Sequence, residues 1–178
     1  MKIYIALLRG INVSGQKKIP MADLRTLMQN LGFENVKTYI QSGNVVFKAL
    51  NQEVETLQLV IQEGILKQFG FEVSVLVKTQ EELEYIFNNN PLETHQVPQS
   101  YFTLLQEKPD AERVHTVSDE TYDNETFIIT ESCVYFYSDK GYGNAKCNNN
   151  FFERKLKVSA TTRNFKTMQK LLSLCSDL

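Results

Sequence analysis

The sequence predicts an α+β protein: two βαββαβ halves in tandem, followed by one added C-terminal helix. Three observations predict it. Residues 2 to 8 place apolar groups on both alternating phases, as a strand buried on both faces does. Helical stripes spaced i, i+3, i+4, i+7 alternate with short β-branched runs. The order strand, helix, strand, strand, helix, strand then reads twice along the chain, which is the ferredoxin-like, split βαβ arrangement in each half.

In the first half, residues 2 to 8 give the opening strand and Pro20 suits a first helical turn. Leu24, Leu27, Met28 and Leu31 form one helical stripe, and Gly32 is placed to cap it. "NVKTYIQSGNVVF" reads as two strands around a tight turn at Ser42-Gly43-Asn44, with Gly43 and Asn44 expected to supply positive φ. Val54, Leu57, Ile61 and Ile65 mark a second helix ended by Gly70, and Val73, Val75 and Val77 face one side of a fourth strand. Thr79 with Glu82 three residues on is a capping box. It opens a helix carrying Leu83, Ile86 and Phe87, which stops at Asn90-Pro91.

The plan then repeats: "YFTLLQ" is a strand, residues 109 to 119 hold a short helix, and "TFIIT" and "CVYFYS" form a hairpin around Glu131-Ser132. Phe151, Phe152 and Leu156 mark another short helix, and "VSATT" is the last strand. Phe165, Met168, Leu171, Leu172 and Cys175 share a stripe on the added helix. The expected organisation is 1–78 as one ferredoxin-like half, 79–100 as connecting helix and loop, and 101–178 as the second half with the C-terminal helix.

The 178-residue chain is 42% hydrophobic and 22% charged, a globular composition. It contains no signal-like h-region and no apolar run of membrane-spanning length. The expectation is a cytoplasmic protein without a membrane partner. Cys133, Cys147 and Cys175 are odd in number and widely spaced, so reduced thiols are expected. His95 and His115 make no ligand-like spacing with each other or with a cysteine, so no metal site is expected. The net charge of −2 hides a pattern: residues 1–50, 51–138 and 139–178 carry +5, −12 and +5. Two basic ends around an acidic middle point to a charged partner.

Four polar stretches carry candidate chemistry. "LLRGINVSGQKKIPM" has strand, glycine-containing basic loop and helix in sequence, the layout of a phosphate cradle. Gly10 and Gly15 match P-loop spacing, but Gln16 and Lys17 stand where Lys and Ser/Thr are required, so a Walker-type NTPase is excluded. A basic loop before a helix start, able to hold an anion, survives. It supplies Arg9, Asn12, Lys17 and Lys18 as candidate ligand residues. The hairpin tip adds Gln41, Ser42 and Asn44, and "SDKGYGNAK" adds Lys146. "ATTRNFKT" adds Thr162, Arg163 and Asn164, with Asn164 as a helix N-cap and Arg163 beside the helix start. A cation there opposes the helix dipole, which suggests a bound anion or a carboxylate partner. No nucleophile elbow or histidine pair names a catalytic residue.

"ALLRGINVSG", "TYIQSGNVVF", "NNNPLE", "GNAK" and "ATTRNFKTMQKLL" occur in an order and spacing that resembles a widespread bacterial family known as a domain of unknown function, whose members open with Arg-Gly-Ile-Asn-Val. Ser14 stands where that family typically has glycine, and Ala145-Lys146-Cys147 where it usually has Ser-Lys-Leu. The resemblance implies no catalytic residue and no cofactor. It implies that the short polar motifs lie in the loops selected above.

Three function classes follow. The first is binding of a small anionic or phosphorylated ligand in a basic cleft between the halves, with catalysis left open. The second is single-stranded nucleic-acid binding, because βαββαβ is also the RRM layout. The missing RNP1 pattern and the acidic balance disfavour it. The third is a non-catalytic protein-interaction module using the acidic middle. The sequence leaves cofactor, reaction and oligomeric state open.

Overall fold

A computed structural model describes residues 1–178. The chain divides into two compact units, one of residues 1–84 with 170–178 and one of residues 85–169. The boundary falls inside a helix, and the last turns of the C-terminal helix belong to the first unit.

The first unit runs β1 (Lys2–Leu8), α1 (Met21–Asn30), β2 (Glu34–Tyr39), β3 (Asn44–Ala49), α2 (Val54–Phe69), β4 (Val75–Thr79) and the opening of α3 (Gln80–Asn88). Its sheet has the order β2-β3-β1-β4, all pairs antiparallel. This is the ferredoxin-like order. Tyr4, Ala6 and Leu8 of β1 meet Leu24, Met28, Leu57, Ile61 and Ile65 of the two helices in one core. Gly70, left-handed at φ 80, ends α2. The Thr79–Glu82 capping box is present, with Thr79 N donating to Glu82 Oε2 (2.8 Å) and Glu82 N to Thr79 Oγ1 (3.1 Å).

The opposite sheet face carries Ile5, Leu7, Val46 and Leu76, also buried. Burial on both faces is why β1 shows no polar alternation. Lys37 and Lys48, on this second face, donate to the carbonyls of Asp177 and Leu178 at the end of the chain.

The second unit runs β5 (Tyr101–Leu105), α4 (Ala111–Ser118), β6 (Glu125–Ile129), β7 (Cys133–Ser138), α5 (Asn149–Leu156), β8 (Ala160–Asn164) and the start of α6 (Phe165–Ser176). Its sheet order, β6-β7-β5-β8, repeats the first, again antiparallel throughout. The protein is thus α+β with two four-stranded ferredoxin-like halves and an added C-terminal helix. Asp110 caps α4 and Asn148 caps α5 through their side chains. Phe136, Val134, Phe151, Phe152 and Leu156 fill the helix side of this sheet. On the other side Phe102, Leu104, Cys133 and Tyr135 are buried. There Phe87 of α3 stacks on Phe102, and Tyr135 OH donates to the Ile86 carbonyl at 2.9 Å.

Two local expectations are corrected. Asn44 does not take positive φ: it is the first residue of β3, and the left-handed positions of the tip are Ile40 (φ 49) and Gly43 (φ 77). The turn spans four residues rather than three, which moves its first left-handed position onto Ile40. Leu172 is only half-buried, while Met168, Leu171 and Cys175 are fully buried. Residues 168, 171 and 175 lie on one helical face and 172 at its edge. Arg163 is the residue before the Asn164 cap, as expected beside the start of α6, and it is at the same time part of β8, opposite Phe102.

Candidate functional site

In the first unit, loop 9–20 and hairpin tip 40–43 form one cluster. Backbone Leu8 N donates to Gly43 O (2.8 Å) and Arg9 N to Ser74 O (2.9 Å). Asn12 holds the loop shut: its Oδ1 accepts from Ile19 N (2.8 Å), and its Nδ2 donates to Ile19 O (2.9 Å) and Gln41 O (2.8 Å). Ile11 and Ile19 anchor the two ends in the core. Within this frame Gly10, Asn12, Ser14, Gly15 and Lys17 all take positive φ. Val13 and Gln16 form a bridge with Ser14 and Gly15 between them. Positive φ at both central positions is what a type I′ turn requires.

Gly43 is obligatory here. A Cβ at this position would lie 2.6 Å from Leu8 Cβ and 2.9 Å from Ile11 Cδ1. Ile40 is the reverse case, a β-branched residue in the left-handed region and 50% exposed. Such strain costs on the order of 1–3 kcal/mol.

Each candidate of this unit now has a place. Asn12 spends its amide inside the loop. Asn44 is fully buried, donating to Tyr39 O (3.1 Å) and Ser42 Oγ (2.9 Å). Gln41 contributes its carbonyl to the Asn12 clamp, and its side chain lies in an exposed turn. Lys17 Nζ donates to Glu72 O at 2.7 Å. Lys18 is exposed and Arg9 half-buried. α1, which the loop leads into, has Pro20 at its N-cap and no side-chain cap.

In the second unit, the 139–148 loop and the start of α6 meet at one end of the sheet. They line a surface groove of about 290 Å³ with Ser100, Tyr101, Ser138, Asp139, Gly141, Asn164 and Lys166. Asn164 Oδ1 accepts from Thr167 N at 2.9 Å, the expected N-cap. Arg163 Nη1 turns back along β8 to Thr161 Oγ1 (2.8 Å) and Thr162 O (2.9 Å). Burial pushes its guanidinium down to about 10, so it stays cationic at neutral pH.

Thr162 serves a hydrogen-bond knot. Its Oγ1 lies 2.8 Å from Thr103 Oγ1, donates to Asn149 Oδ1 (2.9 Å) and accepts from Tyr142 OH (3.3 Å). Lys146 is exposed, and its backbone N–H donates to Glu125 Oε1 (2.8 Å) while that of Cys147 donates to Oε2 (2.9 Å). Burial raises the Glu125 carboxyl, but the two amides, the Cys147 thiol and the Lys146 charge together outweigh it and lower the group below its ordinary value. Burial and the Glu125 carboxylate push the Cys147 thiol up to about 12.

Ser138, Asp139 and Gly141 of the groove belong to the SDKGYGNAK stretch, whereas Ser100, Tyr101 and Lys166 lie outside the four polar stretches, at the start of β5 and on α6. A second cleft, of about 440 Å³, lies among Asp110, Glu112, Arg113, Glu120, Arg154 and Lys155. There Glu120 accepts from Lys155 Nζ and Tyr122 OH, both at 2.6 Å. Its charges balance internally, so it gives no single-sign field. No three His, Cys, Asp or Glu side chains converge as a metal would need, and no helix is long and apolar enough to cross a membrane.

The family described as Protein of unknown function (DUF1697) matches residues 1–135, and the chain belongs to that family. Among solved structures the chain is similar to the conserved bacterial protein SP0830 from Streptococcus pneumoniae. That likeness has 25% identity, a TM-score of 0.75 and coverage of 98% of each chain. No curated protein matches.

Proposed function

We propose that the protein binds a small anionic or phosphorylated ligand, and that the first unit's loop 9–20 is the element that meets it. One observation carries the reading. A loop with five left-handed residues is locked by Asn12, and it presents exposed backbone at Ser14-Gly15 and the exposed cation Lys18 just before a helix start that has no side-chain cap. Fixed backbone amides, a helix dipole and a lysine add in the same direction for an anion. Arg9 and Lys17 raise the local positive potential.

The nucleic-acid alternative is weaker on structural grounds. RRM-type recognition stacks bases on aromatics of an open sheet face. In both units the face away from the two crossover helices is buried, at Ile5, Leu7 and Val46 in one and Phe102, Leu104 and Tyr135 in the other.

A thermal-shift panel of inorganic phosphate, sugar phosphates and nucleotides tests the proposal. A ligand at a hundred times its Kd adds about 2.7 kcal/mol, which raises the Tm of a chain this size by roughly 5–10 °C. Lys18→Ala should reduce the response. A panel that shifts nothing, or shifts the variant equally, refutes the reading.

A further inference from the structure

The edges of the two sheets are not treated alike. On β4 the outward amides are taken by side chains: Val77 N donates to Gln58 Oε1 (3.0 Å) and Thr79 N to Glu82 Oε2 (2.8 Å). On β8, Ala160 N donates to Glu153 Oε1 (2.8 Å), while Ala160 O accepts from Asn149 Nδ2 (3.2 Å) and Thr162 O from Arg163 Nη1 (2.9 Å). β2 is broken by a register shift between Glu34 and Lys37, with Asn35 left-handed at φ 53. Such devices keep an edge from pairing with another chain.

β6 has none of them. Its register with β7 is unbroken, and from Thr126 to Thr130 it holds no proline and no charge. Thr130 N donates to Cys133 O and Asp139 N to Asn124 O, so the even-numbered residues of this strand bond to β7. Phe127 and Ile129 therefore turn their N–H and C=O outward, and no group of the chain meets them. Between them Ile128 is 37% exposed.

The geometry points to a second copy of this chain as the partner of this edge, the two β6 strands pairing antiparallel about a two-fold axis at Ile128. The strand is self-complementary about that point. Thr126-Phe127-Ile128-Ile129-Thr130 sets Ile128 against Ile128 of the second copy, Phe127 against Ile129, and Thr126 against Thr130. Each Phe127–Ile129 pair then exchanges both main-chain hydrogen bonds, and the two isoleucines take the close, non-hydrogen-bonded position. An axis at Phe127 would instead oppose Ile129 to Glu125, whose N–H is already given to Tyr122 O. In the register at Ile128, Glu125 and Glu131 come opposite each other, but each carboxylate has a partner in its own chain: the Lys146 and Cys147 amides for one, Lys108 for the other. The pairing joins two four-stranded sheets into one continuous sheet.

The surface is small, so the dimer is weak, and sedimentation equilibrium of the full chain is run from about 10 μM to about 1 mM. The mean mass should climb from 20.5 kDa toward twice that value. Over the same range amide exchange at Phe127 and Ile129 should slow about fivefold or more, while Val77 on the sealed edge should not change. Ile128→Lys sets two cations together at the axis and should hold the mass at the monomer value. The register has its own test: with an added thiol oxidant, Ile128→Cys should crosslink two chains, and Thr126→Cys should not unless Thr130→Cys is present as well.

A constant mass over the whole range would overturn the inference. So would a dimer that leaves Phe127 and Ile129 unprotected, or one that crosslinks through Thr126→Cys alone as fast as through Ile128→Cys. Protection of these amides by an added extended peptide, with the protein itself staying monomeric, would give the edge to a foreign strand and overturn the second copy.

Discussion

In the first unit the long polar loop follows the first strand and is pinned by an amide, Asn12; in the second it follows the third strand and is pinned by a carboxylate, Glu125. The two sheets have the same strand order. The corresponding connection after β5 is only a short link that ends in the Asp110 cap. The shared fold therefore does not dictate where the loop emerges. It offers several strand ends, and each unit has elaborated a different one. The chemistry of the pin differs with what it must satisfy. Asn12 meets both a donor and two acceptors, which needs an amide. Glu125 meets two donors, which a carboxylate serves best.

The hairpin tips separate the units most sharply. Gly43 touches Leu8 and Ile11, whereas the β6–β7 tip at Glu131-Ser132 contains no glycine. Gly43→Ala adds left-handed strain to a steric overlap and should destabilise by about 2–5 kcal/mol. Ser132→Ala should cost less than about 0.5 kcal/mol. Denaturant unfolding of both variants compares them directly, and equal costs would remove the distinction between the tips.

Loss of the first pin comes next. Asn12→Ala leaves Ile19 N, Ile19 O and Gln41 O without their partner and should cost about 2–4 kcal/mol. Asn12→Asp should not rescue it, because a carboxylate would face two carbonyls. Full rescue by Asp would mean that the donor half of the clamp is idle.

For the second pin, Glu125→Gln supplies one acceptor where two amides need them and should cost about 1–3 kcal/mol. The same contact makes this loop sensitive to acid. The folded Glu125 value is lowered, so its contribution is fully present above the ordinary value of 4.5 and is lost as pH falls through the folded value beneath it. Amide exchange at Lys146 and Cys147 should accelerate as pH drops below that range, after correction for the intrinsic rate, while Ile19 of the first unit should not respond. A matching response at Ile19 would break the contrast between amide and carboxylate.

The smallest expected effect has the opposite sign. Ile40→Asn relieves a left-handed β-branched residue and should raise stability by about 0.5–1.5 kcal/mol. A loss of stability would show that Ile40 contributes packing despite its exposure.

Much of this architecture was legible from local pattern. The apolar run of β1, the Thr79–Glu82 box, the Gly70 stop and the Asn164 cap all depend on residues within a few positions of one another, where backbone periodicity and hydrogen-bonding rules act directly. The left-handed backbone of the 9–20 loop was also legible in part, because Gly10, Asn12 and Gly15 are residue types that favour it. Roles inside those loops were not. Asn12 looked like a ligand residue and is a clamp, Asn44 is buried in β3, and Thr162 is tied into a knot with Thr103, Asn149 and Tyr142.

The sequence by itself determined the alternation of elements, their caps and the need for two-sided burial, since each is set by neighbours along the chain. Tertiary structure alone decided that Asn12 reaches Gln41 across 29 residues, that Glu125 reaches Cys147 across 22, and that Gly43 lies against Leu8. Those pairings arise only when antiparallel strands bring distant loop ends together. A polar side chain takes its role from whichever donor or acceptor is left beside it there.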